Sequence, residues 1–228
     1  MPRLSLPRIT NPQASRILVS EQLPAVTNAR LQADAIRSRF AAPPIWQVEM
    51  PGDGGLFPGR VVRDAAVLVA LMERTAGLTV LLTERTAHLN DHAGQISFPG
   101  GGRDPQDHSP TDTALREAME EVGLPASHVQ VLGELAVYQT VTAYRVTPVV
   151  ALVEPNFVVQ ADSFEVAEVF EVPLSFLMNP ANHQRRAIDT PMGERFFYAM
   201  PYQDGDKERF IWGATAAMLR NFYRFLSA

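Results

Sequence analysis

Cysteine is absent from the chain, which excludes disulfides, thiolate zinc sites and a cysteine nucleophile together. Its absence fits a reducing compartment. Long apolar runs are missing as well. The longest, residues 65–72, is far short of the roughly 20 residues that span a bilayer, and the first thirty residues lack the continuous apolar core of a secretory signal. There is no excess of positive charge: 20 Lys and Arg stand against 25 Asp and Glu, a net charge of −5. The basic residues are scattered, so no basic field exists to attract nucleic acid. Repeats and low-complexity segments are also lacking. What is present is 228 residues, 46% of them hydrophobic, enough for one core with appendages and too few for two full domains. These features predict a soluble, cytoplasmic protein with no nucleic-acid or membrane partner.

Residues 1–62 read as an extension. They are rich in proline and show no strand alternation, although Ala29, Leu31, Ala35, Ile36 and Phe40 form an apolar set that predicts a helix over 28–40. Pro43, Pro44, Pro51 and Gly52, Gly54 and Gly55 then read as an extended connector and turn, and the whole as an arm packed on the domain that follows. From residue 63 to 228 the texture is that of a folded domain. Residues 65–73 and 78–84 are β-rich and separated by Thr75, Ala76 and Gly77, which predicts two antiparallel strands.

Residues 97–124, SFPGGGRDPQDHSPTDTALREAMEEVGL, organise the rest. Ser109 before Pro110, with Asp112 three residues on, is the pattern of an N-cap, a proline at the first helical position and the acidic arm of a capping box. The helix should start at Pro110 and end at Gly123 as a left-handed C-cap. Ala114, Leu115, Ala118, Met119 and Val122 recur on it at helical spacing. Glu117, Glu120 and Glu121 stand at i, i+3 and i+4, so three carboxylates are expected on one patch. Many such clusters are solvated faces. Here Gly100, Gly101 and Gly102 allow a backbone to approach closely, and an all-oxygen anionic cluster suits Mg²⁺ or Mn²⁺.

These residues resemble the signature of the Nudix hydrolases, a glycine, five residues, a glutamate, seven residues, then Arg-Glu-apolar-x-Glu-Glu-x-Gly-apolar. Arg116, Glu117, Ala118, Met119, Glu120, Glu121, Val122, Gly123 and Leu124 fill its second half, with Ala118 small for its apolar position. The glycine falls on Gly102. The isolated glutamate falls on His108, a departure, with Asp107 one place earlier. Upstream, Leu81, Leu82, Thr83, Arg85, His92, Gly94, Gln95, Phe98, Pro99, Gly100 and Gly101 resemble the element that precedes the box in the coenzyme A pyrophosphatase branch. Thr86 and Asn90 depart from it, and Asn90 stands where that branch usually has an arginine.

Downstream, residues 129–138 and 145–153 read as strands joined by a polar and aromatic stretch, 139–144. Residues 162–174 again resemble the branch, and Glu165 and Glu168, three apart, fit one turn from which either reaches the metal cluster. Pro173 reads as the start of a short helix. Arg185, Arg186 and Arg195 suggest a loosely basic patch before a strand at 195–200. Residues 208–226 read as a closing amphipathic helix with Trp212, Met218, Leu219, Phe222 and Leu226 in the core.

The resemblance covers residues 64–228. It implies the α/β Nudix fold, a mixed β-sheet sandwiched between helices, and a divalent-metal-dependent hydrolase of pyrophosphate bonds in nucleoside diphosphate derivatives. Within that class the flanks favour coenzyme A or its derivatives, split to 3′,5′-ADP and 4′-phosphopantetheine. It implies Glu117, Glu120, Glu121 and the backbone at Gly101 as metal ligands for Mg²⁺ or Mn²⁺. Arg116 would orient a glutamate, and either Glu117 or Glu165 would be the base. Arg85, Gln95, Arg103 and Tyr144 are the expected substrate contacts. A small-molecule nucleotide is the expected partner, and the choice between monomer and homodimer is left open. Two alternatives stay open, a Nudix enzyme acting on ADP-ribose, a dinucleotide or a nucleoside triphosphate, and a non-catalytic nucleotide-sensing domain.

Overall fold

Residues 65–72 carry an apolar side chain at every position, the pattern of a strand buried on both faces. In the computed structural model they lie within β2 (Arg63–Arg74), the centre of a mixed sheet. The structure describes residues 9, 11–18, 22–53, 61–86, 94–190 and 193–228. Before β2 come β1 (Arg16–Ile17) and α1 (Ala33–Ala41). Around β2 are β3 (Gly77–Arg85), β4 (Ile96–Ser97), β5 (Gly100–Gly102), β6 (Val129–Glu134), β7 (Tyr138–Gln139), β8 (Tyr144–Val153) and β9 (Val166–Pro173), with α2 (Pro110–Val122) and the single turn α3 (Leu174–Leu177). The chain continues through β10 (Gln184–Thr190), β11 (Gly193–Asp204), β12 (Lys207–Trp212) and α4 (Gly213–Ser227).

β2 pairs antiparallel with β3 (Leu71 opposite Val80) and parallel with β8 (Arg63 opposite Tyr144, Leu68 opposite Val149). The parallel pairing requires a long crossover, and α2 lies within it. One face of β2 presents Ala66, Leu68 and Ala70 to Ala114, Ala118 and Val122 of α2. Small residues on both sides let helix and sheet approach, which accounts for alanine at position 118, 0% exposed. The other face presents Val69 and Leu71 to a second core with Ile36, Met200, Ile211, Leu219 and Phe222. The fold is α/β, with helices on both sides of the mixed sheet.

Several expectations are corrected. The first helix begins at Ala33, because residues 28–31 form a hydrogen-bonded turn in which the N–H groups of Arg30 and Leu31 donate to the carbonyls of Thr27 and Asn28. Residues 208–212 are strand, not helix. Gly205 and Asp206 turn a hairpin that pairs β11 with β12, and Gly213, at φ +64, opens α4 directly after β12. β10 and β1 complete a second, four-stranded sheet. Arg186 is therefore buried, donating to the Gln13 carbonyl at 3.0 Å and lying 5.0 Å from the Phe210 ring, so it does not join the exposed Arg185 on an open basic patch. Met119 points outward, 52% exposed.

Residues 49 and 50 are tied to β11 and α4 by polar contacts. Glu49 accepts from Nε of Arg220 (2.8 Å), Nε of Arg224 (2.5 Å) and the Tyr198 hydroxyl (2.7 Å). Asn221 holds both the N–H and the carbonyl of Met50. No described helix is long and apolar enough to cross a membrane.

Candidate active site

Local signals set the geometry of the box helix. The Ser109 hydroxyl accepts the Asp112 N–H at 3.1 Å, and Gly123 closes the helix at φ +67. The Asp112 carboxylate reaches back one residue further than in a capping box, to the N–H of His108 at 2.9 Å. β5 runs beside this helix. Gly101 pairs with Ala66, and a Cβ built on Gly101 would lie 2.5 Å from the Glu117 carboxyl carbon. Only glycine lets the carboxylate rest against the strand there.

Glu121 is 3% exposed and accepts the Gly100 N–H at 3.3 Å. Burial raises its pKa to about 7. Arg85 and the Gly100 N–H oppose the rise, and the charges of Glu117 and Glu165 add to it. Nη1 of Arg85 is 3.5 Å from the carboxylate, a long contact, and burial outweighs it. The pKa of Glu117 is also raised, first by burial and then by Glu120 and Glu165, against the pull of Arg116. Two desolvated carboxylates therefore repel each other and Glu165 beside a glycine backbone. Hard oxygen donors carrying excess negative charge fit a divalent cation.

Glu120 is not brought in with the other two. Its side chain is 59% exposed and pairs with Nη1 of Arg116 at 3.1 Å. Among the described residues no three His, Asp or Glu side chains already converge as a metal-holding group. Arg116 is the hub of the helix's outer side. It bonds Glu117 at 2.9 Å, the Gly102 carbonyl at 3.0 Å, and both oxygens of Asp107. Asp107 also accepts from Thr113 Oγ1 and the Asp104 N–H, and Arg116 holds its carboxyl well below the usual range. The sequence places Asp107 one position before the motif's glutamate, and its role as the anchor of Arg116 appears only in the fold.

Glu165 precedes β9, and its backbone is pinned by Thr86, whose N–H donates to the Glu165 carbonyl and whose hydroxyl donates to the Phe164 carbonyl. Thr86, a departure from the branch pattern, thus positions this loop. Glu168 is corrected. It lies within β9 opposite Glu84, where Arg209 and Lys207 bind it and lower its pKa to about 2. It belongs to a link between the sheets.

An open cleft of about 550 Å³ is lined by Arg63, Asp64, Gly102, Arg103, Arg116, Glu117 and Tyr144 among others. Arg103 donates Nε and Nη2 to the Asp107 carbonyl, at 3.1 and 3.0 Å. Nε of Arg85 is buried and has no hydrogen-bond partner among the described residues. The backbone carbonyl of Gln95 accepts the Arg85 N–H at 3.0 Å. Asn90 and His92 lie outside the described residues.

A family model described as NUDIX domain matches residues 62–190. An uncharacterized Nudix hydrolase designated NudL from Yersinia enterocolitica is 41% identical over 175 residues, covering 77% of this chain and 86% of that protein. Its counterpart in Yersinia pestis is 42% identical over 165 residues, covering 72% and 80%. A crystal structure of a Nudix hydrolase from M. smegmatis, RenU, superposes with a TM-score of 0.43 at 27% identity, covering 49% of this chain and 71% of that one.

Proposed function

We propose, since this chain belongs to the Nudix hydrolase family and is a pyrophosphohydrolase, that it cleaves the pyrophosphate link of coenzyme A or a derivative to 3′,5′-ADP and 4′-phosphopantetheine. The observation that carries the reaction class is the pair of desolvated, mutually repelling carboxylates, Glu117 and Glu121, against the Gly100–Gly102 backbone in an open cleft. The residues that flank the box, Leu81, Leu82, Thr83, Arg85, Gln95 and Phe98, support the coenzyme A reading by their resemblance to that branch. Nudix hydrolases generally use divalent metals. In this reading Glu117, Glu121, Glu120 and the Gly101 backbone would hold Mg²⁺ or Mn²⁺. Such an ion supplies charge neutralisation and Lewis acidity.

The chain's own residues do the rest. Glu165 or Glu117 takes the proton of the attacking water; both are carboxylates in the same electrostatic cluster. Water's oxygen bonds to one phosphorus, the bridging oxygen leaves with the other phosphoryl group, and two phosphomonoesters result. Arg116, anchored on Asp107, keeps Glu117 in place. Tyr144 and Arg103 line the substrate's path, with Arg85 and Gln95 as further contacts. Residues 1–62 act as an arm of the single domain formed by 63–228. A second reading, ADP-ribose as substrate, is favoured by Asn90 in place of an arginine. Turnover of coenzyme A, dephospho-coenzyme A, ADP-ribose, a dinucleoside polyphosphate and a nucleoside triphosphate, each with Mg²⁺ and Mn²⁺, separates the readings. Highest kcat/KM on coenzyme A supports the first, highest kcat/KM on ADP-ribose replaces it, and no turnover on any points to a sensing domain.

A further inference from the structure

Three arginines line the cleft, and two are engaged by the protein itself. Arg116 is bound by three carboxylates and Arg103 by the Asp107 carbonyl. Arg145, at the same rim, pairs with Asp64 at 2.8 Å. Arg63 differs. Its exposed guanidinium makes no ion pair and no hydrogen bond among the described residues, and it rests 4.7 Å from the centre of the Tyr144 ring.

The platform beneath it is built, not incidental. Arg63 and Tyr144 are register partners at the start of the parallel strands β2 and β8. The Arg63 N–H donates to the Ala143 carbonyl at 2.9 Å, and Ala143 is held at φ +70, a conformation a residue with a Cβ seldom adopts. Asp53 secures that loop, accepting from the Tyr138 hydroxyl at 2.5 Å and the Val141 N–H at 2.9 Å. Along β2, Arg63 stands three residues before Ala66, the partner of Gly101. At a strand's rise the Cα atoms of Arg63 and Ala66 are about 10 Å apart, so Arg63 is rooted beyond the stretch of strand that the glycine-cradled Glu117 rests beside.

We propose that Arg63, presented on the Tyr144 ring, binds a phosphate of the substrate that lies outside the scissile pyrophosphate and so sets the preference for nucleotides that carry one. This rests on the reading that the cleft takes a nucleoside diphosphate derivative. A guanidinium fork matches phosphate geometry, and stacking on an aromatic face holds its plane before the ligand arrives. The charge that Asn90 does not supply is thereby supplied from another strand.

The test is calorimetric titration of the metal-free full chain with 3′,5′-ADP and with 5′-AMP. These ligands differ by one ribose phosphate. The wild type is expected to bind 3′,5′-ADP at least about tenfold more tightly than AMP. Arg63→Met should weaken 3′,5′-ADP by about ten- to a hundredfold, the value of a charge-assisted contact, and leave AMP within about twofold. Arg63→Lys should restore part of the loss. Melting curves check that both variants are folded. Equal affinities in the wild type, equal loss of both ligands in Arg63→Met, or no measurable binding of either overturns the assignment. Coenzyme A turnover is scored separately: a chain that discriminates through Arg63 yet leaves coenzyme A intact upholds Arg63 and removes that substrate.

Discussion

Asp107→Asn separates the charge of the box loop from its shape. Asp107 is 4% exposed, and its oxygens accept from Nε and Nη2 of Arg116, from Thr113 and from the Asp104 N–H. Asparagine keeps one acceptor and turns the other position into a donor that faces a guanidinium. Two hydrogen bonds to a charged group, worth about 1.5–3 kcal/mol each, become at best one weaker bond. Arg116 retains Glu117 and Glu120, so the expected loss is about 2–4 kcal/mol. For a chain of this length that is a fall in Tm of roughly 5–15 °C. His108→Gln is the control, since His108 is exposed and should stay within about 0.5 kcal/mol. Urea unfolding at pH 7 gives both values. The sign with pH is also determined. Arg116 lowers the carboxyl's pKa in the folded state, so its stabilisation is fully present above about pH 4 and is lost as pH falls below that. The gap between wild type and Asp107→Asn should therefore narrow in acid. A loss under about 1 kcal/mol, or an equal loss in His108→Gln, would refute the assignment of the loop's anchoring to Asp107.

Glu121→Gln should lower kcat by at least about a hundredfold, while the Tm of the metal-free protein rises because a buried carboxylate among like charges has been neutralised; unchanged turnover at saturating Mg²⁺ would remove Glu121 from the site. Gly101→Ala should cost less than about 1 kcal/mol in stability, since the atom its Cβ meets is the mobile end of Glu117, yet reduce kcat at least about tenfold; wild-type kcat would mean Glu117 need not rest there. His183, 2% exposed, is pushed down to about 4, chiefly by burial. The neutral ring's full contribution is present above about pH 6.5 and is lost as pH falls to 4, about 3 kcal/mol in all. His183→Gln should flatten the stability curve across that window, and a parallel curve would show that another group titrates there.

What the sequence disclosed follows from how far each signal reaches. The limits of α2 were legible because Ser109, Pro110 and Gly123 act on their own neighbours, and the β2–β3 hairpin because its turn is adjacent to both strands. The second sheet was not. Residues 207–212 have the composition of either element, and pairing with β11 decides for strand. In the site, helical spacing put Glu117 and Glu121 one turn apart. It could not show that Arg116 draws Glu120 outward, nor that Asp107 underlies Arg116, because those contacts depend on how the 103–108 loop folds back. Arg63 carried no motif at all; its position opposite Tyr144 arises only from the parallel register of β2 and β8.

The bond between Glu49 and Arg220 joins residues 171 positions apart, and that with Arg224 residues 175 apart. During synthesis the segment that carries Glu49 is made well before its partners on α4. Docking must therefore await completion of α4, after the sheet residues have been made. Closing so long a loop adds little to the equilibrium cost, which grows only with the logarithm of length, but contacts so distant in sequence slow assembly. The arm is thus the segment expected to join late and release early. Amide exchange at Met50, whose N–H is bonded to Asn221, should then run ahead of exchange at Leu68 in the central strand.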